Sequence, residues 1–234
     1  MFEDQKRAAA EAALGEVRDG MRLGLGSGST AAIFVDLLGA RVAAGLKCLC
    51  VPTSEATAAQ ARRLGIPLTD LDTIDRLDLT VDGADEVDPS LELIKGAGGA
   101  LLREKIVASA SDRVVVIADQ SKDVTFLGAC ALPIEVNAFG LGATRHTLEG
   151  ILKAFKAEGG LKQRLDKAGA PFRTDGGHFI LDASFGRISA AKALSDALLE
   201  VPGVVQHGLF LGLCQTAYIA GAHGVTRRDR PIGR

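Results

Sequence analysis

Hydrophobic positions along the chain fall into short β-prone runs and longer helical stretches, separated by polar, glycine-rich breaks. Residues 3–18 read as a helix stopped at Gly20, and MRLGL (21–25) as a strand. STAAIFVDLLGARVAA (29–44) reads as a helix with Ser29 or Thr30 as N-cap. LKCLCV (46–51) is a strand and SEATAAQARRLG (54–65) a helix capped by Ser54. LDLTV (77–81) is a strand, LELIK (91–95) a short extended piece, GALLREKIVASA (99–110) a helix and RVVVIA (113–118) a buried strand. Repeated β-α units of this kind predict a parallel sheet covered on both faces.

Near Leu132 the pattern changes. LPIEVN (132–137) is a strand, 142–157 a helix, HFILDA (178–183) a strand, SAAKALSDALLE (189–200) a helix and GVVQHGLF (203–210) a strand, with a polar, glycine-containing stretch before HFILDA. The order β-α-β-α-β fits a small α+β domain, and LCQTAYIAG (213–221) reads as a last strand returning to the first sheet. The expected fold class is α/β: a Rossmann-like parallel-sheet domain (1–130 plus 208–234) with a second, smaller α+β domain of ferredoxin-like type (131–207).

Composition narrows the function. The chain is 47% hydrophobic and 24% charged with a formal net charge of −2 and no basic block, which argues against nucleic acid or an anionic membrane as partner. No apolar run is long enough for a membrane helix, and the charged N-terminus lacks a signal-peptide core. Cys48, Cys50, Cys130 and Cys214 show no metal or disulfide spacing, so buried thiols in a reducing cytoplasm are expected. Cys48 and Cys50 alternate with Leu49 and should face one side of a sheet.

Candidate chemistry gathers where segments of the first domain end, the place where open α/β sheets bind ligands. The five endings are GSGST (26–30), PTSE (52–55), DGADEVD (82–88), KGAGG (95–99) and DQSK (119–122). In GLGSGST, Gly26, Gly28 and a helix start place amides around an anion, with hydroxyls of Ser27, Ser29 and Thr30 added. A dinucleotide fingerprint and a plain capped turn compete, but the fingerprint wants an acid at the second strand end, where Val51-Pro52-Thr53 stands. Lys95 before three glycines can neutralise a phosphate or a growing oxyanion. Arg103, Glu104 and Lys105 span about 200° of one helix, so they cannot all face solvent if that helix is buried on one side. Glu104 has Ala100, Leu101, Val107 and Ala108 as helical neighbours, surroundings that would raise its pKa toward that of a general base. Asp82 and Asp85 flank Gly83-Ala84. They can bind an oxygen-ligated metal such as magnesium, serve the turn, or handle the hydroxyls and protons of a polyol.

Together GLGSGST (24–30), VPTS (51–54), VDGADEVD (81–88), KGAGGALLREK (95–105) and IADQSK (117–122) resemble the A-type ribose-5-phosphate isomerase family, and PIEV (133–136), TDGGHFILD (174–182) and PGVVQHGLF (202–210) extend the likeness. The resemblance implies interconversion of ribose 5-phosphate and ribulose 5-phosphate in the pentose phosphate pathway, with no metal or organic cofactor. It implies Glu104 as the base moving a proton between C2 and C1, and Lys95 as the cation stabilising the enediolate. It implies Asp82 and Asp85 on sugar hydroxyls, with Asp82 a candidate for ring opening or for proton exchange between oxygens. Ser27, Gly28, Ser29, Thr30 and Lys122 become phosphate contacts, joined by Lys6. Gly83, Ala84, Gly96, Ala97 and Gly98 complete the expected substrate-binding set, while Glu86 and Asp88 are assigned to turn or solvent. Ala97 and Leu102 depart from the family's frequent glycine and threonine. The expected partner is a small sugar phosphate, and the expected state a cytoplasmic homodimer. A non-catalytic sugar-phosphate sensor is the alternative, and a nicotinamide enzyme is disfavoured by the missing ribose acid.

Overall fold

The computed structural model of the protein describes residues 2–230. In chain order the elements are α1 (Phe2–Leu14), β1 (Met21–Leu25), α2 (Ser29–Ala43), β2 (Cys48–Pro52), α3 (Glu55–Arg63), β3 (Leu79–Gly83), β4 (Glu86–Val87), β5 (Leu93–Ile94) and α4 (Leu101–Ser109). They continue with β6 (Val114–Asp119), β7 (Leu132–Val136), α5 (Leu141–Ala154), β8 (Leu161–Gln163), β9 (Phe179–Ala183), α6 (Ala191–Leu199), β10 (Val204–His207), β11 (Leu209–Phe210), β12 (Thr216–Gly221) and β13 (Gly224–Asp229). A 3-10 turn at Gln120–Lys122 follows β6.

The chain forms two compact units. One holds the residues up to Ala84, Arg103–Asp123 and those from Gly212 on; the other holds Asp85–Leu102 and Val124–Leu211. The boundaries expected from sequence, 130/131 and 207/208, differ from these chiefly over 85–102. That segment joins the second unit because β5 pairs with β4 on one side and with β11 on the other.

The first unit is built on a six-stranded sheet in the order β13-β12-β6-β3-β1-β2. β2, β1, β3, β6 and β12 run parallel, and β13 closes the edge antiparallel to β12. β6 is VVVIAD, buried at every position, as a central parallel strand requires. Leu23, Leu25, Leu79, Val81, Cys48 and Cys50 point to one face, where they meet Ala9 and Ala13 of α1, Phe34 and Leu38 of α2 and Ala61 of α3. The Cys48 and Cys50 thiols lie 3.7 Å apart there, on one side of the strand as the alternation predicts. On the opposite face Val107 of α4 meets Val51 and Leu77. A Cβ on Gly24 would stand 2.7 Å from Val107 Cγ1, so glycine is what lets α4 come this close to β1.

The second unit carries a four-stranded antiparallel sheet in the order β10-β7-β9-β8 with α5 and α6 on one face. The chain order β7-α5-β8-β9-α6-β10 is the ferredoxin-like connection. β8 was not expected. Its three residues, LKQ, carry little apolar signal, and only Leu161 reaches the core. β13, also unforeseen, is exposed at five of its six positions and exists through its ladder to β12.

Glu86 corrects an expectation. It is 3% exposed rather than solvated, and its carboxylate accepts the Gly128 N–H at 2.7 Å and the Cys130 N–H. Asp88 does serve the turn, accepting from Ser90 and Glu92 amides. Among the described residues no helix is long and apolar enough to cross a membrane. Replacing Glu86 by Ala orphans two amides in a buried place. The expected cost is about 3 kcal/mol, read as a lower urea midpoint at unchanged slope.

Candidate active site

In the first unit the carboxyl ends of β6, β3, β1 and β2 stand side by side. From β1 the chain goes to β2 on one side and then to β3 on the other. That makes the crevice between β1 and β3 the topological switch point of the sheet. The GSGST loop and Asp82 flank it.

Asp82 ends the buried run of β3 and is 2% exposed. Its Oδ1 accepts the Ser27 N–H at 3.0 Å and the Gly83 N–H at 2.7 Å. A Cβ on Gly26 would stand 2.1 Å from Asp82 Oδ1, so the first glycine of the loop is required by the carboxylate beside it. Ser27 turns its hydroxyl inward, to Thr53 Oγ1 at 2.7 Å, Ser54 Oγ at 2.8 Å and Thr57 Oγ1 at 3.3 Å. This hydroxyl cluster ties the end of β1 to the end of β2. Ser54 caps α3 as expected, accepting the Thr57 N–H at 3.1 Å.

The cap of α2 differs from expectation. Gly28, at φ 95°, holds the N-cap position in place of Ser29 or Thr30, and it offers no side-chain bond to the first turn. The α2 amides and the Ser29 and Thr30 hydroxyls therefore begin a helix whose positive end is not capped by the side chain of its N-cap residue. Gly28 and Ser29 are exposed, as an anion cradle requires.

Lys122 lies in the 3-10 turn after β6, a turn capped by Asp119, whose Oδ1 accepts the Ser121 N–H at 2.9 Å. Gln5 Oε1 accepts the Gln120 N–H at 3.4 Å, which seats the first turn of α1 against this segment. Lys6 comes with that turn, its ammonium 2.7 Å from Glu3 Oε1.

Glu104 sits on α4, above the same sheet face that Gly24, Thr80 and Asp82 present. Its neighbour Arg103 pairs with Glu55 at 2.8 Å, at the start of α3 just past β2, and so fixes this part of α4 at the carboxyl ends of the strands. Glu104 stands one turn, about 4.5 Å, before Val107, and Asp82 two residues, about 6.6 Å, beyond Thr80. The two carboxylates are thus brought to one face and one end of the sheet. Glu104 is 4% exposed and faces inward, while Arg103 and Lys105 are only partly buried.

In the second unit, Asp85 and Lys95 occupy the β4–β5 hairpin and its exit. Asp85 Oδ2 accepts the Ala97 N–H at 2.8 Å. Lys95 is 4% exposed, with Nζ 5.4 Å from the Phe210 ring centroid. Gly96 (φ 106°) and Gly99 (φ 82°) are buried, and Ala97 and Gly98 are exposed between them. Ala97 therefore points its methyl outward, which is how the departure from glycine is accommodated. Sequence reasoning missed Arg164, whose guanidinium donates to the Gly96 and Ala97 carbonyls at 2.8 and 2.9 Å. A side chain gripping backbone 68 residues away leaves no local signature. Among the described residues no group of three or more His, Cys, Asp or Glu side chains is gathered as a metal ion would need.

Burial lowers Lys105 well below the ordinary lysine value, to about 7. The folded protein then binds this proton less tightly than the unfolded chain does. Stability should rise as pH climbs from about 7 toward the ordinary lysine value of about 10.4, and stay flat in this contribution below 7. Lys105→Met is expected to be more stable than the parent below pH 7, with the advantage fading toward pH 10, in urea midpoints taken across that range.

The family model for ribose 5-phosphate isomerase A (phosphoriboisomerase A) matches residues 49–224. The ribose-5-phosphate isomerase A of Bradyrhizobium diazoefficiens is 60% identical over 239 residues, covering 97% of each chain. The solved ribose 5-phosphate isomerase of Plasmodium falciparum superposes with a TM-score of 0.91 at 37% identity, over 99% of this chain and all of the other. A D-ribose-5-phosphate isomerase solved in complex with phospho-erythronic acid gives a TM-score of 0.92 at 36% identity, over 98% of this chain and 100% of that one. A family match over most of the length, whole-chain identity and a shared fold agree, and the chain belongs to the ribose 5-phosphate isomerase A family.

Proposed function

We infer that the protein is an aldose–ketose isomerase interconverting D-ribose 5-phosphate and D-ribulose 5-phosphate through an enediolate. The observation that carries this is likeness along the whole chain, at 60% identity, to a protein named as that isomerase. The phospho-erythronic acid bound by a related enzyme joins a phosphate to a carboxylate, which supports a site with one phosphate end and one oxyanion end. A non-catalytic sensor is not favoured, since the relative matched at 60% identity over 97% of this chain is named as the isomerase.

The roles follow from the chemistry each group can do. Glu104, buried on α4, takes the proton from C2 of the open-chain aldose. The electron pair left behind forms the C1–C2 double bond of the enediolate, and negative charge moves to the former carbonyl oxygen O1. Lys95 and the amides of Gly96–Gly98 stabilise that oxygen. Glu104 then returns the proton to C1, while a proton passes from O2 to O1 and C2 becomes the ketone. Asp82 serves that exchange or ring opening, and Asp85 a sugar hydroxyl. The phosphate is held by Gly28, Ser29 and Thr30 at the open α2 terminus, with Lys122 and Lys6 as countercharges. Ser27 shapes this cradle through its hydroxyl cluster.

The finer parts of the proposal are a cytoplasmic site of action and a homodimer, for which the exposed Phe139 and Leu165 of the second unit offer apolar surface. Sedimentation equilibrium should return twice the 24.3 kDa chain mass; a monomer at assay concentration would remove the dimer. Purified protein is expected to convert ribose 5-phosphate to the ketose undiminished after exhaustive EDTA treatment. Glu104→Gln should lose about 100- to 10,000-fold in kcat with its far-UV spectrum intact. Near-parental turnover would strip Glu104 of the role of base.

A further inference from the structure

The four-stranded sheet of the second unit has two unlike faces. Leu132, Ile134, Val136, Leu161, Leu181 and Ala183 point to the core beneath α5 and α6. By alternation Glu135 on β7 and Asp182 on β9 point the other way. Both are tied to the strand and loop beside them. Glu135 Oε1 accepts Thr174 Oγ1 at 2.8 Å and lies 2.9 Å from His178 Nδ1. Asp182 forms a two-pronged pair with Arg164, Oδ2 accepting Nε at 2.9 Å and Oδ1 accepting Nη2.

Arg164 itself is anchored at both ends. Its N–H donates to the Ile180 carbonyl and its carbonyl accepts the Phe172 N–H, each at 2.9 Å. Its side chain is 15% exposed and its remaining prong, Nη1, donates to the carbonyls of Gly96 and Ala97. Phe172 closes the same loop from beside it: a Cβ on Gly99 would stand 2.5 Å from that ring.

The peptide planes of the loop fix the direction of its N–H groups. In a trans peptide the carbonyl and the N–H point opposite ways. The Gly96 carbonyl goes to Arg164, and the Ala97 N–H of the same peptide duly goes to Asp85 Oδ2. The Ala97 carbonyl also goes to Arg164, so the Gly98 N–H of that peptide points away from the guanidinium, out of the exposed side of the loop. A cation on the carbonyl also polarises the peptide and strengthens its N–H as a donor.

We propose that Arg164, held by Asp182, is a positioning residue for isomerisation: it sets the Lys95–Gly99 loop so that the Gly98 N–H is aimed, before substrate arrives, at the oxygen on which negative charge develops. This rests on the reading that the loop handles the charge of the enediolate. Arg164 touches no reacting atom, and its effect passes through two carbonyls. A lysine cannot replace it, because one ammonium cannot hold a carboxylate fork and two carbonyls in a plane.

Arg164→Ala, Arg164→Lys and Asp182→Asn are assayed on ribose 5-phosphate beside Lys95→Ala, each with a thermal unfolding curve. Arg164→Ala is expected to lose about 100-fold in kcat with KM changed less than threefold, because a loop displaced by about 1 Å forfeits oriented stabilisation and not phosphate binding. Arg164→Lys should stay within tenfold of that loss. Combining Arg164→Ala with Lys95→Ala should cost less than the product of the single losses, since both act on one charge. Amide exchange at Ala97 and Gly98 should quicken at least tenfold in Arg164→Ala, a readout that stands even if the parent shows no isomerase activity. If the alanine variant does not fold, Arg164→Lys carries both measurements. A folded Arg164 variant with kcat within twofold of the parent, or with unchanged exchange at Ala97 and Gly98, overturns the proposal. If Lys95→Ala is inactive in the same series, the reading of the loop survives that failure.

Discussion

The Asp82 carboxyl group is the constraint around which the carboxyl end of the first unit's sheet is built. A charge 2% exposed at the end of a central strand is costly unless its oxygens are met by donors. Here the donors are backbone amides, Ser27 N–H and Gly83 N–H, and they bend the β1 loop over it. Gly26 has to be glycine because the carboxylate occupies the place of its side chain. Ser27, drawn in by its N–H, spends its hydroxyl on the β2 end, and the helix that follows begins on Gly28 with an open terminus. One buried carboxyl group thus goes with a glycine, a hydroxyl cluster and the exposed helix start next to it.

The second unit uses the same device in reverse. Its charged side chains, Glu86 buried and Asp85 and Arg164 half-buried, hold backbone that would otherwise be loose. Glu86 takes the amides of 128 and 130, Asp85 takes the amide of 97, and Arg164 takes the carbonyls of 96 and 97. Removing Glu86 leaves two amides short of a partner in a buried place, whereas Asp85 and Arg164 hold groups at the exposed Ala97 and act chiefly by orienting them. A loop with glycines at 96, 98 and 99 has high intrinsic freedom, and the contacts from Asp85 and Arg164 restrict it.

Legibility in the sequence followed the range of the interactions. The parallel strands were readable because VVVIA and LTV bury on both faces and say so locally. The strand-end loops were readable because glycine, hydroxyl and carboxylate are chemically unusual together where a strand ends. β8 and β13 were not, since one is mostly polar and the other exposed, and both owe their existence to a neighbour's hydrogen bonds. Glu86 was misassigned for a related reason. It sits in a run of charges that looks like one acidic surface, and only its pairing with amides more than forty residues on separates it from Asp88. The N-cap of α2 went to glycine because Ser29 and Thr30 stand inside the helix, where their hydroxyls cannot cap it.

That division has a chemical logic. Groups that meet a substrate need reach and a pKa, and so must be side chains of particular types at the ends of elements, which a sequence displays. Groups that hold those groups in place need only one hydrogen bond at the right spot, and any backbone amide or carbonyl will serve as partner. A carboxylate or guanidinium engaged with backbone therefore looks like an ordinary surface charge until the fold is known. Catalysis through an oxyanion depends on donors aimed before the charge appears, because reorganising them during the reaction would consume the stabilisation they supply. An amide on a glycine-rich loop can meet that demand only if something outside the loop holds it, and Arg164 with Asp182 is the group in reach of its carbonyls.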